Sequence, residues 1–400
     1  MMKTLKLRYT GLDLYWLISA IGLTSVFIIY PVFSYLLPPN LVIFMILSIL
    51  LTLISIILIQ YNIKLVLFII PLLILKVFFY LSLEPIITSD ELNYYNYAVS
   101  FSNSQNMLDE LANHFNKNIA VDLFAFVEPL IGYFYSSIII LSNSDNPYFI
   151  YIINLIIIIF SIGLYSSKLE FNNRIYLFLL AWIIFSPYLS YWGTRFFKDY
   201  ISLLIIFYSL VLFINKKFFL FIILILLATS IRSYSIVIFA IYFLFWKKNI
   251  YITFICALVS FIISLFLYPG IITKYLKIFG YFLISPNPLK LDNYDLVMGT
   301  QIIEAVFIFL IFTYGLIKRR KFTFNVVFCI SIYASCIYMV DNRLTYSWNL
   351  PADTITENYH RKKIPIFPML MLASLNILFN NKKLIRKNNC ELISNSRAQI

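Results

Sequence analysis

The chain has 400 residues, 62% of them apolar and only 12% charged, with a mean hydropathy of +0.87. Roughly a quarter charged is usual for a soluble domain, so this composition excludes a soluble globular chain and a disordered one. The net charge is +13, from 31 basic and 18 acidic residues; in so apolar a chain it reads as membrane orientation, and no nucleic-acid partner is expected.

Long apolar runs bounded by charge read as transmembrane helices, which need about 20 residues each. Twelve are predicted, at about 13–37, 41–60, 64–83, 148–166, 175–191, 200–214, 218–231, 234–246, 250–268, 300–317, 323–340 and 364–380. The first follows Lys3, Lys6 and Arg8 and is too long for a signal-peptide core, so it reads as a retained span. The expected fold is therefore all-α, a single polytopic transmembrane domain. With both termini cytoplasmic, nineteen of the 31 basic residues fall on the inner side and every inner turn carries at least one, as the positive-inside rule expects. The basic segment 381–400 is then a cytoplasmic tail.

That orientation holds only if the further apolar run 126–141 does not cross. It is expected to be a re-entrant or surface helix, with Pro129 and Gly132 suiting a broken segment. Three outer segments are long: 84–147, 269–299 and 341–363. The second reads as an amphipathic surface stretch. Cys256, Cys329 and Cys336 lie in apolar runs and Cys390 in the basic tail, with no disulfide framework or metal spacing.

The first outer loop holds eight of the eighteen acids against one lysine, Lys117. Asp90 and Glu91 follow the third span directly. A helix there, capped by Thr88 or Ser89, puts Asp90, Tyr94 and Tyr97 along one face. An acid at the membrane surface beside aromatic rings suits a base acting on a sugar hydroxyl. Glu128 lies in the run 126–141, and an acid at membrane depth is costly and usually functional. The next outer turn, Trp192 to Tyr200, carries Arg195, Lys198 and Asp199. Arg195 and Asp199 are four apart and could pair on one helical face; arginine also offers a planar fork for phosphate oxygens. Arg232 is an outer cation between two helices. Arg343, and the cluster His360, Arg361 and Lys362 before Pro365, put positive charge outside, where a lipid-linked phosphate would balance it. Two histidines in all exclude a His-rich zinc site, and no cofactor is expected; magnesium or manganese on Asp90, Glu91 and Asp199 stays open.

With these residues in view the chain resembles polysaccharide repeat-unit polymerases, the Wzy-type O-antigen polymerases and the EpsG-like exopolysaccharide polymerases. The resemblance runs over about 84–250 and more faintly to 380. It rests on Asp90 followed by Tyr94 and Tyr95, on Glu128-Pro129 with Gly132, on the turn Arg195 to Asp199, and on Arg232, Ser233 and Ser235. EpsG-like relatives more often read Arg-Gln in the turn and carry a His in the later cluster, where this chain has Phe196 and Arg232. The same order is similar to the wider class of integral-membrane, GT-C-like glycosyltransferases with polyprenyl-linked donors. Those carry an acidic pair, a re-entrant helix, a second acid and a late basic motif before proline, here Asp90/Glu91, 126–141, Asp199 and His360-Arg361 with Pro365.

The resemblance implies glycosyl transfer from an undecaprenyl-diphosphate-linked oligosaccharide at the periplasmic face of the bacterial inner membrane, in making O-antigen, the surface polysaccharide of lipopolysaccharide. Arg195, Lys198, Arg232, Arg343, His360, Arg361 and Lys362 would hold the diphosphate. Asp90, Glu91, Glu128 and Asp199 are the catalytic candidates, with Asp90 or Glu91 as base. A chain-length regulator is a further expected partner beside the lipid bilayer. The alternatives are a transferase moving one sugar from a polyprenyl phosphate to lipid A, glycan or protein, and a lipid-linked oligosaccharide flippase.

Overall fold

The computed structural model describes residues 11–24, 28, 32–33, 36–37, 89–104, 127–142, 149–169, 173–193, 195, 198–268, 272–284, 296–347, 351 and 359–379. The spans expected at 41–60 and 64–83 and the tail 381–400 lie outside the described residues. Among those described there are helices and no strands.

In chain order the helices are α1 Gly11–Thr24, α2 Ser89–Asn103, α3 Val127–Ser142, α4 Phe149–Ser166, α5 Asn173–Phe185, α6 Pro187–Gly193, α7 Lys198–Ile214 and α8 Phe218–Ile231. Then come α9 Ser235–Lys247, α10 Ile250–Leu267, α11 Ile272–Ile284, α12 Leu296–Lys318, α13 Arg320–Ser347 and α14 Tyr359–Lys362. A 3-10 turn Ile364–Ile366 leads into the last described helix, α15 Phe367–Phe379. The apolar runs thus become helices because a spanning segment must satisfy its backbone internally.

The chain is a membrane protein. By length and composition Ile250–Leu267, Met298–Lys318 and Arg320–Tyr346 can each cross a bilayer. Their burial sorts them. α10 is only 17% buried and shows Phe254, Ile255, Ile262 and Phe266 outward, as a lipid-facing helix does; α13 is 67% buried and sits inside the bundle. α15 is central, buried without a break from Phe367 to Ile377.

Two local features bend this scheme. Pro187 has no amide hydrogen and restricts the residue before it, so the span expected at 175–191 breaks at Ser186 into α5 and α6. α7 and α8 meet in a tight turn in which Lys216 takes a φ of 61°, a left-handed conformation that is uncommon for a side chain with a Cβ. Lys248 does the same after α9, with a φ of 53°. α10 opens on Asn249, whose side chain accepts from the amides of Tyr251 and Ile252 at 3.1 and 3.3 Å, satisfying free donors of the first turn.

The turns with Lys216, Lys217, Lys247, Lys248 and Lys318 to Lys321 lie at one end of the bundle, the basic end. At this end Lys168 Nζ donates to Asn215 Oδ1 at 3.1 Å, and Trp246 Nε1 donates to the Lys168 carbonyl at 3.0 Å. The turn between α8 and α9, the start of α7 and the 359–366 segment lie at the opposite end.

Two expectations are corrected. The segment around 126–141 is not broken: α3 runs unbroken from Val127 to Ser142. Pro129 sits in its first turn, where a missing amide hydrogen costs no bond. Gly132 serves packing, because a Cβ there would lie 2.5 Å from Tyr97 Cβ and α2 would have to move away. The loop expected from 341 is also shorter, since α13 continues as helix to Ser347 and includes Asp341 and Arg343.

Gly132→Ala separates propensity from packing. Alanine favours a helix by about 1 kcal/mol over glycine, whereas overpacking costs about 1–3 kcal/mol. The expected result is net destabilisation, read as a lower melting temperature of the purified protein in detergent.

Candidate functional site

The end opposite the lysine turns carries the chemistry. Asp199, in the first turn of α7, is buried. Its carboxylate accepts from Arg232 twice, Nε to Oδ1 at 2.9 Å and Nη2 to Oδ2 at 2.6 Å. That two-point fork is the strong form of an arginine–carboxylate pair. Arg361 Nε adds a longer contact to Oδ2 at 3.4 Å, and the Tyr234 hydroxyl approaches Oδ1 at 3.5 Å. Three distant segments therefore meet at one carboxylate. Burial alone would push the Asp199 carboxyl up; Arg232 and Arg361 beside it win and hold it well below the usual carboxylate range.

The scaffold fixes each segment by hydrogen bonds to the backbone. Ser235 Oγ donates to the Ala228 carbonyl at 2.8 Å and lies 3.0 Å from Ser202 Oγ, which closes the α8–α9 turn against α7. The Tyr333 hydroxyl donates to the Lys362 carbonyl at 2.8 Å, and the Tyr242 hydroxyl to the Pro365 carbonyl at 2.7 Å. These two bonds hold the 361–366 segment although it brings two cations, Arg361 and Lys362, to the site. Lys362 Nζ lies 5.2 Å above the Tyr234 ring, with Arg232 5.6 Å from the same ring.

Lys198 precedes Asp199, at the mouth of its helix. Burial, then the neighbouring Arg232, pushes its amine down to about 7; Asp199 opposes this, and Arg361 and Lys362 reinforce it. Four cations therefore face one carboxylate. Cations gathered this closely repel one another, and the repulsion is little screened in an apolar setting. Such a cluster has the chemistry to accept an anion with more than one charge.

A second pair stands beside it. Arg195 Nη1 lies 3.3 and 3.4 Å from the two oxygens of Glu91 on α2, and both residues are buried. The guanidinium lies over Tyr191 at 4.4 Å and Trp192 at 5.5 Å, at the end of α6. The turn itself is pinned by Asn154, whose Nδ2 donates to the Arg195 carbonyl at 2.8 Å while its Oδ1 accepts from the Tyr135 hydroxyl at 3.1 Å. The expected pairing of Arg195 with Asp199 is corrected by this arrangement. α7 begins at Lys198, so Arg195 lies ahead of the helix and shares no helical face with Asp199.

Among the other sequence candidates, Asp90 and Glu128 sit in the first turns of α2 and α3, and His360 lies in α14; their side chains are not among those described. Arg343 is exposed on α13, and among the described residues no contact joins it to the cluster. Of the three carboxylates considered for magnesium or manganese, Glu91 and Asp199 each already bind guanidinium groups.

Glu304, missed in the sequence, and Lys363, which ends the basic run before Pro365, belong to the site's support. Glu304, on α12, is buried and accepts from Trp182 Nε1 at 2.7 Å, Ser186 Oγ at 3.0 Å and the Tyr188 amide at 3.0 Å. It thereby caps the break before α6. Lys363 is fully buried over the rings of Tyr188 and Phe367, and burial pushes its amine down to about 8, with Glu304 opposing. An acid inside an apolar span was the available signal.

The EpsG family matches residues 87–348, more than half of the chain. The chain belongs to the EpsG family. The match takes in Glu91, Arg195, Lys198, Asp199 and Arg232, and ends ahead of Arg361, Lys362 and Lys363. The family is associated with glycosyltransferase-like polysaccharide polymerases, and the apolar helices of this member fit a membrane protein. No curated protein and no solved structure matches the chain.

The lowered amine gives this EpsG-family site a pH signature. Lys198 is charged below about 7 and neutral above it. The cluster's affinity for pyrophosphate is expected to fall as pH rises through 7. Lys198→Arg, which stays charged, should flatten that fall, and comparing the two proteins cancels the titration of pyrophosphate itself. Binding measured by calorimetry between pH 6 and 9 checks this.

Proposed function

We propose that this chain polymerises a surface polysaccharide, joining undecaprenyl-diphosphate-linked repeat units by glycosyl transfer at the periplasmic face of the inner membrane, as in O-antigen assembly. One observation carries the reading: Arg232, Arg361, Lys198 and Lys362 converge on a single sealed carboxylate, Asp199, at the end of the bundle away from the lysine turns. A lipid diphosphate would bring negative charge to this cation-rich end. It also develops further charge as the glycosyl bond breaks, and cations already in place stabilise that charge without reorganising. The positive-inside rule puts the lysine turns in the cytoplasm, so the cluster faces the periplasm.

In this reading Asp199 is a positioning residue. A carboxylate engaged by two guanidinium groups is a poor proton acceptor, but it aims Arg232 and Arg361. Glu91 does the same for Arg195. Asp90, on the opening turn of α2, is left as the base that takes the proton from the acceptor hydroxyl. Polymerisation moves a growing chain from its carrier onto a new lipid-linked repeat unit, and the released undecaprenyl diphosphate leaves on the cation cluster.

Deleting the gene is expected to leave the lipid A core capped with single repeat units; loss of every surface repeat unit would sink the reading. Arg361→Ala removes one cation while Asp199 keeps its fork from Arg232. Polymer should then drop on the order of 100-fold with protein level in the membrane unchanged, measured by gel profile of the polysaccharide. Arg232→Lys keeps the charge but loses the fork, and a similar loss is expected. Purified protein supplied with lipid-linked repeat units should extend them by whole units; extension by one sugar would favour a single-sugar transferase.

A further inference from the structure

α12 carries a second polar residue in its buried stripe. Gln301 is 1% exposed, and among the described residues neither its Nε2 nor its Oε1 has a hydrogen-bond partner. It precedes Glu304 by three residues, so the two share a helix face, with Gln301 one turn nearer the helix start. Both oxygens of Glu304 accept bonds at the break between α5 and α6; the amide of Gln301 makes none among the described residues. A polar group stripped of water and given no partner is unfavourable, and buried polar groups in folded proteins are nearly always satisfied. This amide needs an occupant.

Its surroundings indicate the occupant's chemistry. Tyr188, whose amide Glu304 holds, lies near enough to both Asp199 and Glu304 to feel their charges. The Gln301–Glu304 face of α12 is therefore next to the cation cluster. α6 is aromatic, with Tyr188, Tyr191 and Trp192 in seven residues, and aromatic rings with a few placed polar groups are what a small polar ligand's pocket uses. A primary amide presents a donor and an acceptor side by side, which matches two adjacent hydroxyls of a sugar ring.

We propose that Gln301 is a glycan-binding residue, its amide holding adjacent hydroxyls of the sugar nearest the diphosphate of a lipid-linked substrate. The inference rests on reading the Asp199 cluster as a diphosphate clamp. The amide is covered in this structure, so the sugar enters as this end of the bundle opens. Closure over it keeps water from the reacting centre.

The test uses the full chain in detergent and two probes: sugar-free undecaprenyl diphosphate, and the same lipid carrying one repeat unit, extracted from a strain lacking the polymerase. Gln301→Met and Gln301→Leu remove the amide at similar volume. Replacing an unsatisfied polar group by an apolar one of like shape is close to neutral for the fold, so melting temperatures should hold or rise. Wild type should bind the glycosylated lipid more tightly than the bare one. Both variants should lose about tenfold on the glycosylated lipid and nothing on the bare one. Equal binding of the two lipids by wild type, unchanged binding in the variants (a structural water as the occupant), or equal loss on both lipids would each overturn the proposal. Failure of wild type to bind either lipid would instead overturn the diphosphate reading on which it stands.

Discussion

A buried carboxylate in an apolar bundle is the constraint around which the rest is arranged. Asp199 could not stay ionised there alone. Two guanidinium groups keep it charged, and holding them requires three separate parts of the chain at one point. Removing one member of such a pair typically costs about 3–5 kcal/mol, because the other is left buried and uncompensated. The hydroxyls of Tyr242 and Tyr333 and the Ser202–Ser235 contact follow from it: each pins a backbone that would otherwise be pushed apart by the gathered cations. Burial first, and the same repulsion from Arg232 second, lower the proton affinity of Lys198.

The helical spans were legible because length and apolarity decide them. Runs such as 218–231 and 250–268 reappear as α8 and α10 within a residue. The candidate residues were visible in composition, and their pairing was obscure in geometry. Arg195, Lys198, Asp199, Arg232, Arg361 and Lys362 stand out because charge is scarce and these residues sit at span ends. Which cation meets which acid depended on the turn at 195, and spacing along the chain gave the wrong partner. Gly132 had the right weight for the wrong reason; a glycine reads alike whether it breaks a helix or admits a neighbour. Glu304 was overlooked because a single acid barely alters the hydropathy of its span, although such an acid is the rarer event.

Glu91 and Arg195 extend the same logic to the second pair. Arg195 follows the aromatic helix α6 by two residues, and Glu304 fixes the helix's beginning. One short segment between a proline break and the α7 helix therefore links a buried acid on α12 to a guanidinium facing α2. The acids in the bundle thus aim the cations, and in the proposed function those cations meet the ligand.

The α7–α8 hairpin turns this into a matter of register. Asp199 opens α7, and Arg232 follows the last residue of α8, with the chain reversing at Lys216. Their 2.6 Å contact thus compares the lengths of two antiparallel helices. One extra residue in either would advance its end by about 1.5 Å and swing it by roughly a quarter turn, carrying the guanidinium off the carboxylate while every apolar residue still faced lipid or core. The left-handed Lys216 fixes where the comparison starts. The hairpin acts as a molecular gauge, and its tolerance is that of a hydrogen bond rather than of a membrane.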